Sequence, residues 1–197
     1  MPFATYGRQS PIQTFALIGP AAIYGEAKKL IDGCEGHEII RATSILTGMP
    51  GDDDSDENAH VEAYLAAIAN KCAEAKRNNH DLLYKTVLGF LPGGAGLPPE
   101  HKKLSITRRR DLFAKAGAPD RLLMKYIETD WSLDVLIVGT TQMIIAFPTL
   151  PRDRHLRIGL RIRSHAFVNQ AVRWYDDCVL EQAKDIDWPS AEKLKAG

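Results

Sequence analysis

Cysteine is scarce in this chain of 197 residues, aromatic side chains make up only 8% of it, and neither sign of charge is in excess. The three cysteines, Cys34, Cys72 and Cys178, are odd in number and far apart, and none forms a Cys-x-x-Cys pair. That spacing counts against a disulfide framework and against structural zinc. Cys72 and Cys178 fall on apolar helical faces and read as small buried thiols. Cys34 sits between carboxylates in Asp32-Gly33-Cys34-Glu35-Gly36, which raise a thiol's pKa and make it a poor nucleophile. Lys and Arg total 25 against 25 Asp and Glu, a net charge of zero. Polyanionic partners reward a basic excess, so neutrality counts against nucleic acid and against an anionic membrane surface as partners. No apolar run approaches the roughly 20 residues that span a bilayer. Met1 to Ser10 lacks the charged-then-apolar order of a signal peptide, and the expectation is a soluble, cytoplasmic protein.

Cofactor and metal motifs are also missing. The six histidines never stand at His-x-His or His-x3-His spacing. Asp52-x-Asp54-x-Asp56 imitates a calcium loop, but Glu57 stands where glycine is required and Ala63 where the closing glutamate belongs. Gly93 to Gly96 lacks the Lys-Ser/Thr ending of a phosphate loop. No cofactor and no metal site are expected.

What is present is enough for one domain over 1–197, with a core from about 15 to 187. After a short apolar stretch, Phe15-Ala-Leu-Ile18, the residues Ile23, Ala27, Leu30 and Ile31 have helical spacing that ends near Gly33. His37 to Leu46 reads as a strand. Val61, Tyr64, Leu65, Ile68 and Cys72 mark one face of a second helix, with acidic residues before it where the helix dipole favours them. Leu82 to Phe90 is a strand, and Thr107 caps a short helix through Ala116. Strands follow at Leu122 to Thr129, Leu133 to Val138, Met143 to Phe147 and Leu156 to Ile162, the middle two forming a hairpin. A last helix opens at Ser164 and carries Phe167, Val168, Ala171, Trp174, Tyr175, Cys178 and Val179. The predicted class is α/β, a mixed β-sheet with helices on both faces and an antiparallel portion toward the C-terminal half.

Particular local text adds a resemblance. Gly19-x-x-x-Ile23-Tyr-x-Glu26-Ala27, Glu38-Ile-Ile-Arg-Ala-Thr43, Tyr64-Leu-x-Ala-Ile68, Leu133-Asp-Val-Leu-Ile-Val138 and Met143-Ile-Ile-Ala-Phe147, in this order of elements, resemble one half of the phospholipase D-like fold. That family's chemistry uses His-x-Lys-x4-Asp, in which the histidine attacks phosphorus and the lysine binds phosphate. Laid on this chain, the motif falls on Ser132, Asp134 and Gly139, and none matches. A carboxylate in place of the phosphate-binding lysine would repel substrate. The resemblance therefore implies a non-catalytic version of the fold that binds a small polar or anionic ligand or a protein partner, with a sensory or regulatory role, paired as a homodimer as the family's halves are. The alternative is a phosphodiesterase or nuclease with a displaced catalytic histidine, His155 or His165.

The candidate ligand site is drawn from polar residues expected at one end of the sheet. Arg41 and Ser44 lie on one strand, Glu128 and Thr140 at strand ends, and Arg161, Arg163 and His165 at a strand-to-helix junction suited to a small polar or anionic ligand. Strand alternation puts Arg157, Arg161 and Arg163 on one face, which reads either as an anion-binding row or as a charge-protected edge. Lys102, Lys103 and Arg108-Arg-Arg110, at a loop and helix start, read as surface, the alternative being a nucleic-acid patch.

Overall fold

A computed structural model describes residues 11–46, 55–90, 99–128, 133–147 and 157–186. Eight strands form one sheet in the order β1-β7-β6-β5-β2-β3-β4-β8. In chain order the elements are β1 (Gln13–Ile18), α1 (Pro20–Asp32), β2 (Ile39–Leu46), α2 (Ser55–Arg77), β3 (Leu83–Phe90), α3 (Pro99–Ala116), β4 (Leu122–Glu128), β5 (Asp134–Val138), β6 (Gln142–Phe147), β7 (Ile158–Arg163), α4 (His165–Arg173) and β8 (Lys184–Asp185). The chain is α/β, as the alternation predicts.

The strands β2, β3 and β4 are parallel, and parallel neighbours need long crossovers, here α2 and α3. All other pairings are antiparallel. The apolar stretch at Phe15 is edge strand β1, paired with β7 through Gln13↔Arg163 to Ile18↔Ile158. Its residues are exposed apart from half-buried Leu17, so it carries no inside-outside alternation by which to be read.

Two cores sandwich the sheet. On one face Ile40, Ala42, Tyr84, Leu136 and Ile144 meet Ile23, Leu30 and Ile31 of α1, Leu65 and Ile68 of α2, and Phe113 of α3. Tyr84 and Phe113 stack with centroids 5.8 Å apart, a contact worth about 0.5–1.5 kcal/mol beyond area burial. On the other face Val87, Val135, Ile137 and Met143 meet Val168, Tyr175 and Val179 of the last helix. Ser164 caps that helix, its Oγ accepting from the Phe167 N–H. A π-helical stretch, Trp174–Leu180, continues it.

The buried seam of this helix is narrower than the expected stripe. Val168, Tyr175, Val179 and Ala183 are buried, whereas Phe167, Trp174 and Cys178, each one position earlier, are exposed. One residue is about 100° of rotation, enough to leave the seam. The expectation that Cys178 is a buried thiol is thus corrected; Cys34 and Cys72 are buried.

Arg41 faces the last helix, as does Thr43, while Ile40 and Ala42 face α1 and α2. Arg41 Nε lies 3.0 and 3.1 Å from the two Asp176 carboxylate oxygens, and its terminal nitrogen lies 2.7 Å from one of them. Lys85 Nζ adds a contact at 3.4 Å. Next to it, the Tyr175 hydroxyl reaches the carbonyls of Ala42 at 3.1 Å and Lys85 at 3.0 Å. The polar stripe of β2 is therefore used to dock the terminal helix.

Candidate pocket at the carboxyl end of the parallel strands

The strand β5 runs antiparallel to β2, so its first residue, Asp134, sits near the carboxyl end of β2. Asp134, Leu136 and Val138 point toward α1, and Gly159 and Arg161 of β7, with Arg157 just before it, lie on the same face. A side chain at Gly159 would come within 3.0 Å of Ile23 Cγ1, so glycine there allows α1 to lie close on the sheet. The close approach places Tyr24 beside Arg157.

The result is a pocket of about 60 Å³ between the sheet and α1, α2 and α3. Its polar lining includes Tyr24, Ser44, Tyr64, Tyr84, Arg109, Asp134 and Arg157. Arg157 pairs with Asp134 and donates to the Tyr24 hydroxyl at 2.9 Å. Arg109, 6% exposed, donates to the Ser105 carbonyl at 3.1 Å and to Ser44 Oγ at 3.2 Å. Its Nε is buried with no partner among the described residues. Burial pushes the Tyr64 phenol well above its ordinary value, with Tyr84 and Tyr24 adding to the effect and Arg109 opposing it. Tyr64 is therefore a neutral hydroxyl at physiological pH. Two guanidiniums, one carboxylate and neutral phenols leave the pocket with one net positive charge, fit to hold an anion.

Of the seven residues offered by the sequence, Ser44 lines this pocket. Glu128 is exposed at the end of β4, two strands beyond β2. Thr140 lies in the β5–β6 turn and Arg163 is level with Gln142, so both sit at the opposite end of the sheet, and the expectation that Thr140 shares an end with Ser44 is corrected. His165, exposed, opens α4 beyond Arg163 and contacts Asn169 at 3.2 Å. Arg161 faces α1 as alternation predicts, but pairs with Glu26 and donates to Gln142 at 2.6 Å. Arg41 is held by Asp176 on the other face.

At the positions of the family's reactive triad, Ser132 lies outside the described residues. Asp134 is bound to Arg157, and Gly139 holds the hairpin turn at φ +59°. His155, offered for a displaced nucleophile, also lies outside the described residues.

No family model matches the sequence, and no curated protein matches it. Solved structures do match the fold. TrmBL2, an archaeal chromatin protein described as having a novel mode of DNA binding, superposes with a TM-score of 0.54 over 92% of this chain, at 15% identity. Phosphatidylserine synthase of Haemophilus influenzae Rd KW20 does so with a TM-score of 0.55 over 88% of the chain, at 11% identity. The fold is phospholipase D-like. NucT from Helicobacter pylori superposes with a TM-score of 0.49 over 89% of the chain, at 10% identity. The chain spans 56% of the TrmBL2 chain and 39% of the synthase.

One expectation drawn from neutrality is overturned. A chromatin protein described as binding DNA has a fold similar to this one, so zero net charge is no ground for discounting nucleic acid as a partner. Net charge reports the sum, whereas binding responds to local charge. Among the described residues, no helix is long and apolar enough to cross a membrane.

Proposed function

We propose that this chain is a phospholipase D-like domain that binds a phosphate-bearing ligand, with nucleic acid among the candidates, and does not hydrolyse it. One observation carries the reading. At the position of the family's phosphate-binding lysine stands Asp134, paired with Arg157, in a pocket that holds a second, buried arginine. Cationic binding groups are present, while the residues that would attack and polarise phosphorus are replaced. The role that follows is sensory or regulatory.

The test pairs binding with turnover. A fluorescent oligonucleotide should bind with a shallow salt dependence, because one pocket neutralises only one or two phosphates and each contributes about 0.7–0.9 to the slope of log K against log salt. Bis(p-nitrophenyl) phosphate should not be cleaved. Turnover that His165→Ala abolishes would establish the hydrolytic alternative and refute this reading.

A further inference from the structure

Resting on that reading, we infer that the pocket takes a terminal phosphate monoester in preference to an internal phosphodiester, and that Arg109 sets the preference.

Size is the first argument. A volume of about 60 Å³ is small. It has room for a phosphate group and it opens to solvent, so whatever the phosphate carries must leave through the mouth. A chain-internal phosphate seated there must lead both of its ester substituents out through that mouth. A monoester needs only one exit.

Charge is the second. Asp134 already neutralises Arg157, so a monoanionic diester competes with a resident carboxylate of equal charge. A monoester dianion is drawn twice as strongly by the lining's one net positive charge, a sum that already includes the repulsion from Asp134, and can engage both guanidiniums together.

Arg109 supplies the third. Ser44 Oγ and the Ser105 carbonyl fix its two terminal nitrogens, while Nε–H remains buried without an acceptor among the described residues. A buried donor left unsatisfied carries a desolvation cost, which an incoming oxyanion relieves. A tetrahedral dianion has three unsubstituted oxygens to offer against two in a diester. This geometry makes Arg109 a specificity-determining residue although it stands outside the family's reactive motif.

The experiment compares ligands that differ only in the phosphate. Inorganic phosphate and glycerol 3-phosphate should raise the melting temperature, and dimethyl phosphate should not. An oligonucleotide with a 5′-phosphate should bind at least about tenfold more tightly than the same strand with a 5′-hydroxyl, the loss expected when a charge-assisted hydrogen-bond pair is removed. Arg109→Lys, which keeps the charge and loses the fork, should erase that discrimination. If this variant does not fold, Ser44→Ala, which frees one arm of Arg109, should reduce it several-fold. Tighter binding of the 5′-phosphorylated strand than of glycerol 3-phosphate identifies a nucleic-acid end as the source, and the reverse order identifies a small metabolite. Equal binding of the two strands, stabilisation by dimethyl phosphate equal to that by phosphate, or unchanged discrimination in the folded variant would overturn the inference. Equal, tight binding of both strands without cleavage would leave the broader phosphate-binding reading standing, whereas binding of no phosphate probe at all would remove both.

Discussion

Replacing Arg41 by alanine separates the two polar features of β2, because Arg41 docks the terminal helix on one face while Ser44 lines the pocket on the other. The side chain of Arg41 is 8% exposed and makes a forked contact with Asp176, itself 28% exposed. Breaking a fully buried pair costs about 3–5 kcal/mol; Asp176 keeps partial solvent and Lys85 at 3.4 Å, so the expected loss is about 2–3 kcal/mol. For a domain of this size that lowers the melting temperature by about 4–12 °C. The acid limb gives the sign. Partial burial opposes the Asp176 charge, but the hydrogen bonds and charge of Arg41, with Lys85, outweigh it and hold the carboxyl below its ordinary value. A carboxylate depressed in the folded state contributes stability that is complete above its unfolded pKa, about 4, and is lost as pH falls through the folded value. Urea titrations from pH 7 to pH 2.5 should therefore show a gap between wild type and Arg41→Ala that is widest at neutral pH and narrows below about pH 4. Phosphate binding should be unaffected at 25 °C. A destabilisation under about 0.5 kcal/mol, a gap that does not vary with pH, or a phosphate affinity reduced as much as in Arg109→Lys would refute this reasoning.

Thiol titration checks the burial assignments. Burial first and Glu38 next push the Cys34 thiol up to about 11, and burial followed by Cys34 pushes Cys72 to about 12, while Cys178 is exposed. At pH 8 about one Cys34 in a thousand is thiolate, so a disulfide reagent should label one cysteine quickly in the native protein and three after denaturation; two rapid thiols would contradict the core described. Gly139→Ala should cost about 1–2 kcal/mol from the left-handed backbone alone, because the new methyl meets only the Glu38 side chain, whose end can move aside. Chemical denaturation of the variant with and without Glu38→Ala should return the same Gly139 cost, and a cost that vanishes in the Glu38→Ala background would assign it to the clash.

Elements whose burial is one-sided were legible in the sequence. The face Val61, Tyr64, Leu65, Ile68 and Cys72 lies within α2 as its spacing predicts, because 3.6-residue periodicity survives wherever a helix buries one stripe. The apolar run Val135 to Val138 with Met143 to Phe147 is a hairpin whose turn begins at Gly139. The strand β1 is not legible as a strand, because one exposed on both faces has no pattern. The α3 helix begins at Pro99 rather than Thr107. Proline suits the first turn of a helix, yet between it and Ile106 the chain is mostly polar and offers no stripe.

Arg109 shows why the pocket itself was harder to see than the fold. Hydrophobic patterning asks which residues recur on an apolar face, and Ile106, Arg109 and Phe113, at i, i+3 and i+7, do share one face of α3 and are all buried. The middle member is a cation, and its neighbours Arg108 and Arg110 lie off that face, so the triplet looks like a solvated basic cluster. Arg108 is half-buried and pairs with Glu62, while Arg110 is exposed; only the middle arginine falls where apolar spacing demands burial. Asp134 repeats the pattern, a lone carboxylate opening the apolar strand Val135 to Val138 on the face that buries Leu136 and Val138. A charged residue standing at a core position of its own element carries a desolvation cost that only a partner can offset. Where two such residues of opposite sign come from elements that meet at a strand end, and a second arginine completes the lining, that cost is spread over a polar pocket, and the exception to the hydrophobic pattern is itself the signal of the site.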